Sequence, residues 1–530
     1  MITKYTGPWG KKQLNHLLRR CLFGVSIADM TYFSGKTMDE VVDLLTTMSN
    51  TYPPLPLKDY TDEETPPGDP DLSIALGETW MTVRTNTSAV NSRRRDSLRR
   101  WWAGVILNQD RTIREKMVLF WNNHFGTGAT FVNSGRAMYK HIHLFRQHPF
   151  GDFKFLCTEI TKDPAMLYML NGWLSTKYAP DENYARELQE LFTLGKENVP
   201  NYTESDIKAA ARLLTGWKQD AGNNTSYFDV NDHDVQNKQF SSFYNNRIIT
   251  GRTGPEAGDL ELNELIDMIF DKQLEVSRFI VEKIYRWFVT YNISAEVRTE
   301  VIDPLRQLLI VNNWDIKPVI VALLTSDHFY TDNVVGAMIK SPVDLVFGLF
   351  KEFNLVFPTT GDVTIVYEFW SKGQRFARDQ GQNLADPPDI AGWQPYYQTP
   401  TYYHLWINSD TYSKRNAFGK EAIQAGFSKD GIQISTNVIG LAKTFSAPSN
   451  PNILIDDAIS LLFTLPLDAS SKQQIKSDIL LLGQSNDNYW SNAWNSHIAN
   501  PNNTGTKNFV EGRLFELFTY LTTLPEYQLM

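Results

Sequence analysis

Along most of this chain apolar residues recur every three to four positions, the spacing that gathers side chains on one face of a helix. The pattern predicts a helix over 11–23 that stops at Gly24. Ser26 and Thr37 read as N-caps of two short helices, the second carrying Val41, Val42, Leu44 and Leu45. Helical patterning covers 77–108 and then 111–125, where Met117, Phe120, Trp121 and His124 fall at i, i+3, i+4 and i+7 and share one stripe. A further helix spans 182–194 and is closed by Gly195, and Thr203 with Asp206 makes a capping box for the next, which runs to Leu214. The pattern resumes at 258–290, 294–312, 316–325 and 341–353 and fills most of the last hundred residues.

Three stretches interrupt it. Residues 51–75 are rich in Pro, Asp and Glu and read as a surface loop, the first plausible break. Residues 219–256, rich in Asn, Asp, Gly and Ser, read as an irregular insertion. Residues 379–412 combine Pro387, Pro388, Pro395 and Pro400 with many rings, which marks an ordered loop, since rings need burial. Short β segments are expected near 225–250 and 362–368, but strands and helices do not alternate as a parallel sheet requires. The fold class is therefore all-α, a large multi-helix assembly with minor β segments. A core over 1–420 is followed by a helical region over 421–530, with no internal repeat.

Composition narrows the functional classes. Of 530 residues, 42% are hydrophobic, enough for a sizeable core, and the 14 Trp, 23 Tyr and 30 Phe suit either a thick helical interior or a ring-lined surface for sugar or peptide. A formal net charge of −9 disfavours nucleic acid, whose phosphates require a basic face. The local exception, Arg93, Arg94, Arg95, Arg99 and Arg100, reads as a solvated helix face or as a site for an anion or acidic partner. The two cysteines, Cys21 and Cys157, lie in separate apolar patterns, so neither a disulfide framework nor a zinc knuckle is expected. The N-terminus lacks an apolar stretch of the secretory type, and no run reaches the roughly 18 apolar residues of a membrane span. A cytoplasmic location is the expectation.

Several segments carry a resemblance: "EKMVLFWNNHF" at 115–125, "DPAMLYML" at 163–170, "DENYARELQELFTLG" at 181–195, "YTESDIKAAARLLTGW" at 202–217, "KSPVDLV" at 340–346 and "GQNLADPPDIAGW" at 381–393. In this order they resemble the domain of unknown function 1800 family, over roughly residues 10–420. The resemblance implies a mainly helical bacterial protein. It also implies a partner from the family numbered 1501, whose members resemble alkaline phosphatases and sulfatases. Two departures stand out. The family often has His-Asn-His-Phe where this chain has Asn122-Asn123-His124-Phe125, and Asn-Glu-Asn where it has Asp181-Glu182-Asn183. Loss of one histidine weakens the case for a metal at His124.

The candidate chemistry sits in four places. On the 182–194 helix, Tyr184, Ala185, Leu188, Leu191 and Phe192 form the apolar stripe. Asn183, Glu187 and Glu190 lie beside it and Arg186 just beyond. Carboxylates so close to an interior stripe suit acid–base catalysis or metal ligation, or an arginine–carboxylate lock in which Arg186 pairs with an interior carboxylate. His124 is a metal-ligand candidate or a hydrogen-bonded core histidine. His233 and Asp234, near Lys238 and in a run dense in Asp and Asn, are further candidate ligands, although the spacing of a calcium loop is missing. Finally, Trp393, Tyr396, Tyr397, Tyr402, Tyr403 and Trp406 put six large rings into fourteen positions, a stiff ligand surface or a cap on the core. No phosphate-loop, dinucleotide-binding, zinc-protease or nucleophile-elbow motif occurs. Two readings remain. One is a metal-dependent enzyme, hydrolytic or oxidative, using a divalent ion held by His124, His233 and Asp234, with Glu187 and Glu190 as acid–base groups and Arg186 holding an anionic group. The other is a non-catalytic binding or assembly protein acting with the phosphatase-like partner, with glycan or peptide on the rings. Convergence of His124, Glu187 and His233 in one pocket separates them.

Overall fold

The computed structural model describes residues 2–196 and 202–530. Helices run from end to end, and the strands among these residues form three two-stranded antiparallel hairpins. The architecture is all-α with minor β additions.

Local chemistry sets the helix ends. Helix α1 (Lys11–Cys21) is followed at Gly24 by a left-handed turn, φ 81°, where a β-carbon would come 2.3 Å from the Cα of Gly348. Ser26, Thr37 and Thr203 each close a reciprocal capping box with the acidic residue three positions on. Helix α2 (Ser88–Leu107) begins eleven residues later than the 77–108 pattern predicts. Threonines explain the delay: the Thr85 and Thr87 hydroxyls donate to Asp69, and Thr79 accepts from the Met81 amide, so local side-chain bonds outcompete helix. Helix α3 (Arg114–His124) follows.

Next, α4 (Asn183–Glu187) runs into a π-turn over Leu188–Thr193, in which the Leu194 amide reaches back five residues to the Gln189 carbonyl at 3.0 Å. The 219–256 insertion holds two hairpins, Trp217–Asp220 with Thr225–Phe228 and Lys238–Gln239 with Ile248–Ile249. Beyond it lie α5 (Gln273–Phe288), α6 (Pro342–Glu352) and α7 (Val363–Asp379). The strand expected near 362–368 is the start of α7. Asp362 caps the Thr364 amide, and Val366, Tyr367 and Phe369 are buried at helical spacing. Helix α7 packs closely on α2, where the Trp370 ring occupies the space a β-carbon on Gly104 would need. The third hairpin pairs Phe427–Lys429 with Ile432–Ile434.

The 51–75 loop is fastened rather than free. Arg94 donates to Asp71 at 2.9 and 2.5 Å, Lys58 reaches Asp71 and Asp62, and Arg100 pairs with Asp59. The arginine run of α2 is therefore mostly interior, with Arg94 and Arg100 paired to the loop and Arg99 to Asp96 and Asp386, rather than a solvated face. At the other end of the chain, α8 (Thr504–Thr523) leads to Tyr527, whose hydroxyl donates to Glu352, which also accepts from Arg19 of α1 at 2.5 Å. The Met530 amide pairs with the Met338 carbonyl at 2.8 Å. No helix among the described residues is long and apolar enough to cross a membrane.

Candidate functional site

The π-turn after α4 has a direct consequence for His124. A helix end leaves carbonyls without intrahelical partners. Here the Phe192 carbonyl lies 3.1 Å from His124 Nε2 and the Leu191 carbonyl 3.2 Å from Lys283 Nζ on α5. Lys283 Nζ in turn lies 3.1 Å from His124 Nδ1. With Nε2–H donating to Phe192, Nδ1 is the acceptor and the imidazole is neutral. Burial first, then the charge of Lys283, pushes the imidazole well below its ordinary value. Phe120, Trp121, Phe125, Phe153, Phe192 and Phe279 surround this ring.

Lys283 is the unexpected member. It is partly accessible, yet protein packs densely around its ammonium. Among the described residues no carboxylate forms an ion pair with it, while Arg286 adds a second positive charge and the Phe279 ring lies 4.6 Å away. Burial, then Arg286, brings it down to about 7. His124 and Lys283 line a small enclosed cavity of about 20 Å³, enough for about one water. Its other walls include Arg286, Trp287 and the aromatic segment, through Tyr396, Tyr397, Tyr402 and Tyr403. Asn123 seats that segment: its Oδ1 accepts the Trp393 amide at 2.8 Å, and Gly392, φ 98°, leaves the room that a β-carbon would take from it. Trp393, Tyr403 and Trp406 are buried, whereas Tyr396, Tyr397 and Tyr402 keep part of their surface accessible. The segment thus both caps the core and walls a cavity.

The α4 cluster is more superficial than its stripe suggested. Asn183 is exposed. Arg186 is 31% exposed and forks onto Glu204 at 2.8 Å through both terminal nitrogens, with Glu182 at 3.3 Å and Glu190 at 3.8 Å. Its main partner, Glu204, lies at the surface, so the expectation of an interior carboxylate does not hold. Glu190 also meets Lys196 at 3.2 Å. Glu187 is half-buried, and burial, then the charges of Glu190 and Asp389, raise it above the ordinary glutamate value against the pull of Lys196 and Arg186. Asp389 belongs to the aromatic segment and also raises Tyr397.

His233 joins a different cluster. Its Nδ1 lies 2.9 Å from the Thr215 carbonyl and its Nε2 3.2 Å from Glu261, which also takes Lys238 and the Arg252 amide. Asp234 is held by Arg212 at 2.7 Å. Both nitrogens of His233, both oxygens of Glu261 and the Lys238 amine have protein partners of the kind an ion-paired lock needs. Among the described residues, no group of three or more His, Cys, Asp and Glu side chains is placed to hold a metal ion. Residues two apart on a helix point to opposite sides, so positions 122 and 124 of α3 do not face one common ion. Asn122 is fully buried there, with neither amide atom hydrogen-bonded.

A family model described as "Protein of unknown function (DUF1800)" matches residues 16–529. The chain belongs to that family. No curated protein and no solved structure matches. The DUF1800 match covers both the His124–Lys283 cavity and the His233 network, and extends through the C-terminal helices beyond the motifs quoted above. Of the sequence-derived candidates in this DUF1800 chain, the fold brings together His124 and Tyr402 at the cavity, with Glu187 under the influence of Asp389 nearby, and leaves His233 and Asp234 apart. Lys283 escaped sequence reasoning because a lysine in an amphipathic helix reads as a solvated one. Its only signal was position, four residues beyond Phe279 and four before the buried Trp287.

Proposed function

We propose that the chain is an enzyme whose reaction centre is the cavity under the aromatic segment, with Lys283 and His124 as its proton-transfer pair. The observation that carries this reading is a lysine with no carboxylate partner among the described residues, in contact with a neutral histidine, at the wall of a ring-lined cavity. An amine near neutrality can accept and return protons at physiological pH. A cavity this small admits one functional group, so the body of a substrate lies outside, against the accessible faces of Tyr397 and Tyr402. Such rings suit an apolar or aromatic small molecule. Arg286 on the cavity wall, with its guanidinium over Tyr402 at 5.0 Å, favours a neutral body over a cationic one. A metal-dependent variant of the enzyme requires ligands that the described residues do not gather, whereas the proton-transfer reading uses groups already in contact.

The test has two parts. Lysine side chains labelled with ¹³C are followed by NMR against pH, with Lys283→Met assigning the signal; a midpoint near 7 is expected. Benzyl alcohol and related fragments are then titrated by ligand-observed NMR, and Tyr397→Ala is expected to weaken binding several-fold. A Lys283 midpoint in the ordinary lysine range, or fragment binding indifferent to Tyr397→Ala, defeats the proposal.

A further inference from the structure

The nitrogen of Lys283 has four tetrahedral directions. One is the bond to its own chain, and two are spent on His124 Nδ1 at 3.1 Å and the Leu191 carbonyl at 3.2 Å. The fourth is committed to no hydrogen bond among the described residues, on a residue that lines the cavity. When the amine is neutral, that fourth position is its lone pair. Both N–H bonds are then anchored by acceptors, which fixes the orientation of the nucleophile. Desolvation and a neighbouring cation, here Arg286, are the two devices that activate lysines toward carbonyl carbon. By contrast, Lys340, another interior lysine for which no carboxylate ion pair is found among the described residues, has its ammonium over the Tyr527 ring at 3.7 Å and is 4% exposed.

The larger clefts differ from this one. One of about 760 Å³ lies between the N-terminal helices and residues 444–461, and one of about 520 Å³ between the 49–57 segment, α2 and Trp370. Both are lined mainly by apolar groups. A third, of about 640 Å³, holds Lys351, which burial lowers, but the charge of Asp29 opposes that shift and Arg111 pairs with the same carboxylate at 2.8 Å.

We propose that Lys283 forms an imine with an aldehyde or ketone whose carbonyl enters the cavity and whose apolar body rests on Tyr397 and Tyr402. This rests on the proton-transfer reading above and names its substrate class. The amine lone pair attacks the carbonyl carbon and forms the C–N bond, while the C=O π pair moves to oxygen. His124 Nδ1, already in contact, takes a proton from the nitrogen and returns it to the oxygen, giving a carbinolamine. The nitrogen lone pair then forms C=N as the hydroxyl departs, protonated by the same route. The balance is one carbonyl compound and one amine to one imine and one water, with no change of oxidation state.

The full-length protein is incubated at about pH 7.5 with benzaldehyde and sodium cyanoborohydride, and benzylated lysines are mapped by peptide mass spectrometry. Lys283 is expected to be labelled more than about tenfold faster than exposed Lys196, because few exposed lysines are neutral at that pH. Excess benzyl alcohol, which has the same body but no carbonyl, should slow labelling of Lys283 alone. Lys283→Arg should abolish the fast label while keeping a folded circular dichroism spectrum. Labelling spread evenly over surface lysines overturns the imine. If benzyl alcohol binds at Tyr397 and Lys283 stays unlabelled, the imine falls and the proton-transfer cavity stands. If neither probe engages the site, both fall.

Discussion

Lys283 and Lys340 give up their protons more readily than an exposed lysine, because burial brings each down to about 7. The unfolded chain holds those protons up to the ordinary lysine value, so between about pH 7 and pH 10 it binds more protons than the folded chain. Stability therefore rises with pH through that window and gains nothing from these groups below it. Arg415, lowered to about 9, adds to the upper part, whereas buried tyrosines raised above their ordinary value oppose it beyond about pH 10. Melting temperature measured from about pH 7 to pH 9.5 is expected to climb, and to climb less steeply in Lys283→Met. A flat or falling profile contradicts the burial of these ammonium groups. Arg186 behaves otherwise: with its own side chain 31% exposed and Glu204 68% exposed, Arg186→Ala should cost no more than about 1 kcal/mol in a denaturation experiment.

At the scale of elements, the 51–75 loop and α2 are held together by a charge pair with no exposure on either side chain, Arg94 with Asp71. Removing one member strands the other in the interior. Asp71→Ala is expected to lose about 3–5 kcal/mol in urea unfolding, and a loss below about 1 kcal/mol would mean the loop is not fastened this way. The turn at Gly24 makes an independent test. A methyl group there meets the backbone of Gly348 at 2.3 Å on a left-handed φ, so Gly24→Ala should lower the melting temperature by several degrees, equivalent to about 2 kcal/mol or more.

At the scale of the whole molecule, the clusters near His124 and His233 are built on different principles. The first has no carboxylate counter-charge among the described residues and borders a cavity, while the second is an ion network closed on itself. Since neither gathers three ligating side chains among the described residues, treatment with a chelator followed by gel filtration should leave the melting temperature unchanged. A fall of several degrees that zinc or calcium restores would return His124, His233 or Asp234 to the role of ligand.

Much of this was legible in the chain itself. Capping boxes at Ser26, Thr37 and Thr203 involve residues three apart, and the stops at Gly24 and Gly195 use left-handed turns that glycine favours, so local sequence determined them. Helical periodicity determined the all-α class for the same reason, and the family motifs marked α3, α4 and the aromatic segment as places to look. Where the periodicity misled, at 77–87 and 362–368, hydroxyl bonds to Asp69 or a cap at Asp362 changed the outcome. Only tertiary structure decided which polar groups meet. His124 and Lys283 are 159 positions apart, and whether a lysine is a solvated cation or a near-neutral amine depends on what packs around its nitrogen. The same holds for Arg94 and Arg186. The sequence presents both as arginines beside an apolar stripe, and burial against a distant loop made one a core ion pair and left the other at the surface.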